Sequence, residues 1–302
     1  MAASPPRPRS GIALLYPGEA RRVQFLRRPN RFLAIVRDPE LGVLEAHVPN
    51  PGRLLELLPA EGTVGHIVPA PGSATAGSFP SSASRERPRV RRTSWTLVSV
   101  RSPEDPEVWV SVDTGAARPL VDQALERRAL PPLDRWGLWR SEVIWGHHRF
   151  DHAVMDAKDP SRPRALLEVK SSNLREGPTG LFPDAPTVRG TGHVEALTRF
   201  VRNGEGPAAL LFLVQRDDVR EVRPYGAMDP KFAHAVEEAR AEGVLLLGRA
   251  LHVLPEGALW AAALPVREPR WEMASDLGRT RSALPERSRT AHRRPRVEGR
   301  RS

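Results

Sequence analysis

The hydrophobic pattern of the 302-residue chain changes period at Thr114. Before it, apolar residues come in short runs bounded by turn residues. Arg31-Phe-Leu-Ala-Ile-Val-Arg37, Leu41 to His47, Thr63 to Val68, Ser94 to Val100 and Val108 to Val112 each read as a strand. Asp38-Pro-Glu40 is the turn between the first two, and Pro49-Asn-Pro-Gly52 is a strong loop signal. Strands this short and closely spaced predict a small β-barrel.

After Thr114 helical and strand patterns alternate. Pro119 to Leu130 places Leu120, Val121, Ala124 and Leu125 on one helix face. Strands are predicted at Glu142 to Trp145, Arg149 to Met155 and Ala165 to Lys170. A helix follows at Thr191 to Val201, then the apolar buried strand Ala208 to Gln215. Asp229 caps a helix to Glu242, with Pro230 at its first position and Gly243 past its end. Val244 to Leu247 is the last strand predicted. This order describes an α/β domain with a mixed sheet. The fold class is therefore α/β plus all-β. The chain divides into a flexible leader (1–18), a barrel (19–113, with a low-complexity Gly/Ser/Ala/Pro insert at 70–84), an α/β domain (114–265) and an Arg-rich tail (266–302).

Cysteine is absent, which excludes disulfides, thiolate metal sites and a cysteine nucleophile. No apolar run approaches the ~18 residues of a membrane span, and Gly11 to Tyr16 is too short for a signal peptide. A soluble, cytoplasmic protein without a membrane partner is expected. The net charge is +10, but from Trp271 onward nine arginines face only Glu272, Asp276, Glu286 and Glu298. Half of the excess thus sits in a tail that cannot build a core, and is either a solvated extension or an auxiliary phosphate contact. The remaining charge suits nucleic acid without demanding it.

The chemistry-bearing candidate is Asp151, followed by Glu168-Val-Lys170. Residues i and i+2 of a strand share a face, so Glu168 and Lys170 point the same way. If the two strands form a hairpin, the Asp151 and Glu168 carboxylates meet. With the carbonyl of Val169 they form a hard, oxygen-only site for Mg²⁺ or Mn²⁺. Lys170 alongside could orient a water or stabilise a pentacovalent phosphate, and Glu142 is a third candidate carboxylate. Asp156-Ala-Lys158 and Asp229-Pro-Lys231 repeat the triplet, but in a turn and at a helix start. An ion pair that merely ends the strand is the alternative reading.

Softer candidates surround this core. Gly146-His-His-Arg149 reads as a polar loop. Gln215 and Arg216, at the end of the buried strand, would either hold a phosphate or only be solvated. On the barrel, Arg27, Arg28 and Arg31 precede Phe32, and Arg89, Arg91 and Arg92 precede Trp95. Basic residues beside aromatics are the footprint of single-strand binding, although bare charged barrels are as common. His47 reads as structural.

In order along the chain, Arg28-Pro-Asn-Arg-Phe-Leu-Ala34, Ala46-His-Val-Pro-Asn-Pro-Gly-Arg53, Val112-Asp-Thr-Gly115, Arg149-Phe-Asp151, Leu167-Glu-Val-Lys-Ser171, Phe182-Pro-Asp-Ala-Pro-Thr187 with Arg189-Gly190, and Val214-Gln-Arg216 resemble the sugar fermentation stimulation protein A (SfsA) family. The resemblance implies an N-terminal OB-like barrel and a PD-(D/E)xK restriction-endonuclease-like domain. It also implies DNA binding, a role in stimulating sugar (maltose) utilisation genes, and metal-dependent nuclease chemistry. Carried over, the core is Asp151, Glu168 and Lys170 with Glu142 upstream. Asp184, Arg189, His193 and Glu195 belong to a loop and helix beside the site, and Arg53, Arg149, Arg189 and His193 are nucleic-acid contacts. The chain departs from the family pattern at Gly192 (a lysine in the family), His148 (serine) and Val48 (cysteine).

The leading expectation is a nucleic-acid-binding, Mg²⁺- or Mn²⁺-dependent nuclease acting on DNA, with RNA and homodimer formation left open. The rival is a non-catalytic DNA-binding regulator.

Overall fold

The computed structural model describes residues 11–59, 61–70 and 93–273. Residues 71–84 of the low-complexity insert, Arg91, Arg92 and residues 274–302 of the expected tail lie outside them.

Strand β1 (Ala13–Leu15) opens the described chain. The barrel follows: β2 (Arg21–Asn30), β3 (Leu33–Asp38), β4 (Gly42–His47), β5 (Val64–Pro69), β6 (Trp95–Arg101) and β7 (Trp109–Ser111). The sheet order is β4-β3-β2-β5-β6-β7, and a parallel pairing of β4 with β6 at Ala46↔Trp95 closes β2–β6 into a five-stranded barrel. Alternation fills it: Val23, Phe25, Val36, Leu97 and Val100 are buried together. Strand β2 was not separated in the sequence, because its arginines interrupt the apolar positions.

The second domain is built on a seven-stranded sheet of order β1-β16-β15-β13-β10-β9-β8. Its strands are β8 (Trp139–Trp145), β9 (His148–Met155), β10 (Pro163–Ser172), β13 (Ala208–Val214), β15 (Leu245–Leu254) and β16 (Gly257–Leu264), with β1 at the edge. The β10–β13 and β13–β15 pairs are parallel and the others antiparallel. A three-stranded sheet, β11 (Leu174–Glu176), β12 (Thr179–Phe182) and β14 (Glu221–Pro224), adjoins it. Every residue of β13 is buried, as a strand covered on both faces must be. Its Leu210, Phe212 and Val214 pack on α2 (Val188–Arg202) and α3 (Pro230–Ala241), while Ala209, Leu211 and Leu213 pack on the side of α1 (Ala117–Glu126). The same alternation sends Leu166 of β10 to the α2 side and Leu167 and Val169 to the α1 side. Glu168 and Lys170 therefore face α2. One carboxylate ties both helix starts together: Asp229 accepts from Phe232 N at 3.1 Å and from Thr187 N at 2.7 Å.

Three sequence expectations are corrected. The segment expected as flexible leader contains β1, which pairs with β16 and closes the edge of the second sheet. The strand after α3 is not the last: β15 runs on to Leu254 and returns through β16. The start of the segment expected as a tail from residue 266 belongs to the fold, since Val266 and Arg270 bridge to Val222 and Tyr225. Among the described residues no helix is long and apolar enough to cross a membrane.

Candidate nuclease cleft

The geometry of the site starts where a ladder stops. Strands β9 and β10 pair antiparallel only as far as Leu167↔His152. The next N–H of β10, that of Val169, has no strand partner on this side, and the Asp151 carboxylate takes it: Val169 N donates to Oδ2 at 2.7 Å. The predicted hairpin thus forms and brings Asp151 beside Glu168. Burial, and then the charge of Glu168, hold the Asp151 carboxyl above its ordinary value.

Glu168 is 3% exposed. Burial alone would raise its carboxyl, but His193 and Lys170 outweigh that and hold it below the usual value. Lys170 Nζ donates to Oε1 at 2.6 Å, and His193 Nδ1, from α2, makes a short contact with the same oxygen. Arg189 Nε donates to His193 Nε2 at 3.4 Å, which fixes the tautomer: Nε2 is the acceptor, so Nδ1 carries the proton toward Glu168. The other oxygen, Glu168 Oε2, is buried without a partner.

A cleft of about 450 Å³ lies over these groups. Asp151, Val169, Lys170, Ser171 and Arg189 line it from the sheet and α2. Pro51 of the barrel loop and Thr114, Ala117 and Arg118 at the start of α1 close the other side. The barrel loop is anchored there: Thr114 Oγ1 donates to Pro49 O at 2.7 Å, and Arg53 N donates to Asp184 Oδ2 at 3.2 Å. Burial raises the Asp184 carboxyl, with that backbone N–H acting against it. Gly52 is required by this approach, because a Cβ there would collide with Asp184 Oδ2 and come within 2.8 Å of Asn50 Oδ1.

The other expected residues divide. The register of β8 against β9 sets Glu142 across from Asp151, but it takes a left-handed φ of 57° and its carboxylate meets Arg118 at 3.1 Å and Arg149 at 3.9 Å. It stands beside the core, half exposed, and does not join it. Arg149, Arg31 and Arg53 are exposed, and Arg31 stacks over Phe32 with 5.9 Å from guanidinium to ring. Three residues expected to contact nucleic acid are spent structurally: His193, buried on Glu168, and two arginines. Arg28 donates to the carbonyls of Arg31, Asn50 and Arg53, so its fork fastens the loop. Arg216 is 1% exposed, forks onto Asp218 at 2.6 and 2.7 Å, and reaches Ser102 Oγ at 2.9 Å. Gln215 is equally buried and lines a second cavity. Glu195 is exposed on α2. The two departures at positions 148 and 192 are neighbours: a Cβ at Gly192 would sit 3.1 Å from His148 Cε1, so the imidazole fills the space beside the helix. Sequence reasoning missed Arg118 and Ser171. Only their adjacency to the Asp-Thr-Gly and Glu-Val-Lys stretches marked them.

Two family models match. "SfsA N-terminal OB domain" covers residues 26–112 and "Sugar fermentation stimulation protein RE domain" covers 115–257. A sugar fermentation stimulation protein homolog of Symbiobacterium thermophilum is 34% identical over 257 residues, 82% of this chain and 95% of that protein. One from Halorhodospira halophila is 38% identical over 251 residues, covering 80% and 93%. Among solved structures, Pyrococcus furiosus SfsA in complex with Ca²⁺ aligns with a TM-score of 0.67 at 28% identity, over 84% of this chain and 98% of that one.

Proposed function

The chain belongs to the sugar fermentation stimulation protein family, and from that premise and the geometry of the cleft we propose a divalent-metal-dependent nuclease that cuts DNA. The observation that carries this reading is a cleft lined by Asp151 and Lys170, with Glu168 bonded to Lys170 beneath it and Glu168 Oε2 buried and unpartnered. The donor set fits a hard cation. Two carboxylates stand close together, burial and then the Glu168 charge raise the Asp151 carboxyl, and one oxygen lacks a donor. The Ca²⁺ complex of the Pyrococcus relative supports a divalent ion in this family.

Asp151 and Glu168 would hold Mg²⁺ or Mn²⁺ with the Val169 carbonyl, and the ion would supply Lewis acidity and a more acidic bound water. The chain's own groups do the positioning. Lys170 lines the cleft itself and would set its ammonium where charge builds on the phosphate during attack, with Glu168 holding it there. His193 keeps Glu168 ionised and fixes its rotamer, and Arg189 fixes His193. The exposed arginines 31, 53 and 149 supply the salt-dependent backbone contacts that hold the strand. The PD-(D/E)xK layout accords with this division of labour.

One feature favours the second reading, a DNA-binding regulator: Glu168 Oε1 is already neutralised from within the protein. Labelled single- and double-stranded DNA and RNA, incubated with Mg²⁺, Mn²⁺ or EDTA and with wild type or Glu168→Ala, separate the two. Metal-dependent cutting by wild type alone supports the nuclease. Binding without cutting under every condition supports the regulator.

A further inference from the structure

Beside the cleft, between the barrel loop and the ends of the parallel strands, lies a second cavity of about 360 Å³. The two adjoin, since Pro51, Thr114 and Ser171 line both. Along β10 the step from Lys170 to Asn173 is three residues, about 10 Å at the strand rise of ~3.3 Å. A group bound here is therefore a close neighbour of one bound at Lys170. The crevice at the carboxyl ends of parallel strands is also where open α/β sheets place their ligands.

The chemistry of the cavity differs from that of the cleft. Gln215 lines it at 1% exposure, and its backbone is pinned on both sides: its N–H donates to Ser172 O at 2.7 Å and its carbonyl accepts from Ser111 N at 3.0 Å. Its carboxamide oxygen is buried with no donor. A buried acceptor left unpaired is unfavourable, and a ligand N–H would relieve it. Asp184 adds a carboxylate to the same lining. Arg31 stands at the same lining, so a backbone phosphate can be held at the rim while the acceptors Gln215 Oε1 and Asp184 face the group inside. Phe182 contributes an aromatic wall, and Asn173, 7% exposed, a further polar group.

We propose that this cavity takes the unstacked nucleobase of a nucleotide neighbouring the scissile phosphate, with preference for a base that presents an exocyclic amine. Cytosine offers Gln215 Oε1 an amine hydrogen. Thymine flanks its one ring N–H with two carbonyl oxygens, which the same acceptors repel. Burying the base against Phe182 offsets its loss of stacking. The inference rests on the nucleic-acid reading of the adjacent cleft.

The test is equilibrium binding by fluorescence anisotropy, in EDTA so that no cutting intervenes. Labelled 12-mers of dC, dT and abasic nucleotides are titrated with the full chain. Wild type should bind oligo(dC) at least about fivefold more tightly than oligo(dT), and the abasic strand most weakly. In Gln215→Met, which conserves volume, the dC preference should collapse through loss of dC affinity while dT affinity stays. Equal binding of dC, dT and abasic strands by wild type would overturn the base pocket and leave the nucleic-acid reading standing, without recourse to the variant. A dC preference that survives in Gln215→Met with an unchanged thermal midpoint would overturn the role of Gln215. Failure to bind any strand would overturn both the inference and the reading beneath it.

Discussion

Arg216 is where the sequence and the structure make opposed, measurable predictions. As a phosphate ligand its loss would weaken DNA binding and leave stability alone. The structure makes it a buried junction instead. Its guanidinium, 1% exposed, forks onto Asp218 at 2.6 and 2.7 Å and donates to Ser102 Oγ, which lies on the barrel side of the molecule. Arg216→Met keeps the aliphatic volume but strands the Asp218 carboxylate, 14% exposed. Removing one partner of a buried pair costs about 3–5 kcal/mol. Arg175 Nε still faces Asp218 at 3.1 Å, so the lower end of that range, about 3 kcal/mol, is expected. At ~2–4 °C per kcal/mol for a protein of this size, the thermal midpoint should fall by about 6–12 °C. Removing both charges in Arg216→Met/Asp218→Leu should recover part of that loss, because no buried charge is then left unpaired. Differential scanning fluorimetry and urea titration would measure it. A single variant within ~1 kcal/mol of wild type that binds DNA more weakly would refute the structural assignment and restore the phosphate role.

His66 is buried against Trp109, with ring centroids 4.0 Å apart. Burial, then Arg22 and Arg101, push its pKa down to about 4. The neutral ring is favoured in the folded state, so its contribution is complete above pH 6.5 and is lost as pH falls through 4. That slope, roughly 3 kcal/mol in all, should flatten in His66→Gln when urea midpoints are compared between pH 7 and 4. Gly52→Ala drives a methyl into Asp184 and should cost about 1–3 kcal/mol by thermal unfolding, with an unchanged midpoint speaking against the tight loop approach. Glu168→Gln should abolish Mn²⁺ binding in calorimetric titration, while His193→Ala should weaken it by about 10–100-fold through the loss of the group that orients Glu168. Undiminished binding in either variant would count against this metal site.

Much of this was legible because period-two arithmetic is robust. The single-face placement of Glu168 and Lys170, the hairpin that brings in Asp151, and the doubly buried β13 all follow from alternation and apolar runs. What escaped the sequence depends on partners far along the chain. His193 meets Glu168 across 25 residues, and only the family resemblance pointed to it. Strands β1, β11 and β12 have three or four residues and are held by neighbours, not by propensity. The arginines were the hardest to read. Arg28 and Arg216 look like Arg31 and Arg53 in the sequence, and only their hydrogen-bond partners separate the two that fasten the fold from the two that stand exposed.

The central claim is that Lys170 acts in cutting and not in holding the strand. The most direct measurement compares, on one labelled oligonucleotide with Mn²⁺, the single-turnover cleavage rate and the Kd of wild type and Lys170→Met. The account predicts a rate at least about 10²–10³ lower with Kd changed by less than about threefold. Rate and affinity falling together, or cleavage that persists without the lysine, would contradict it.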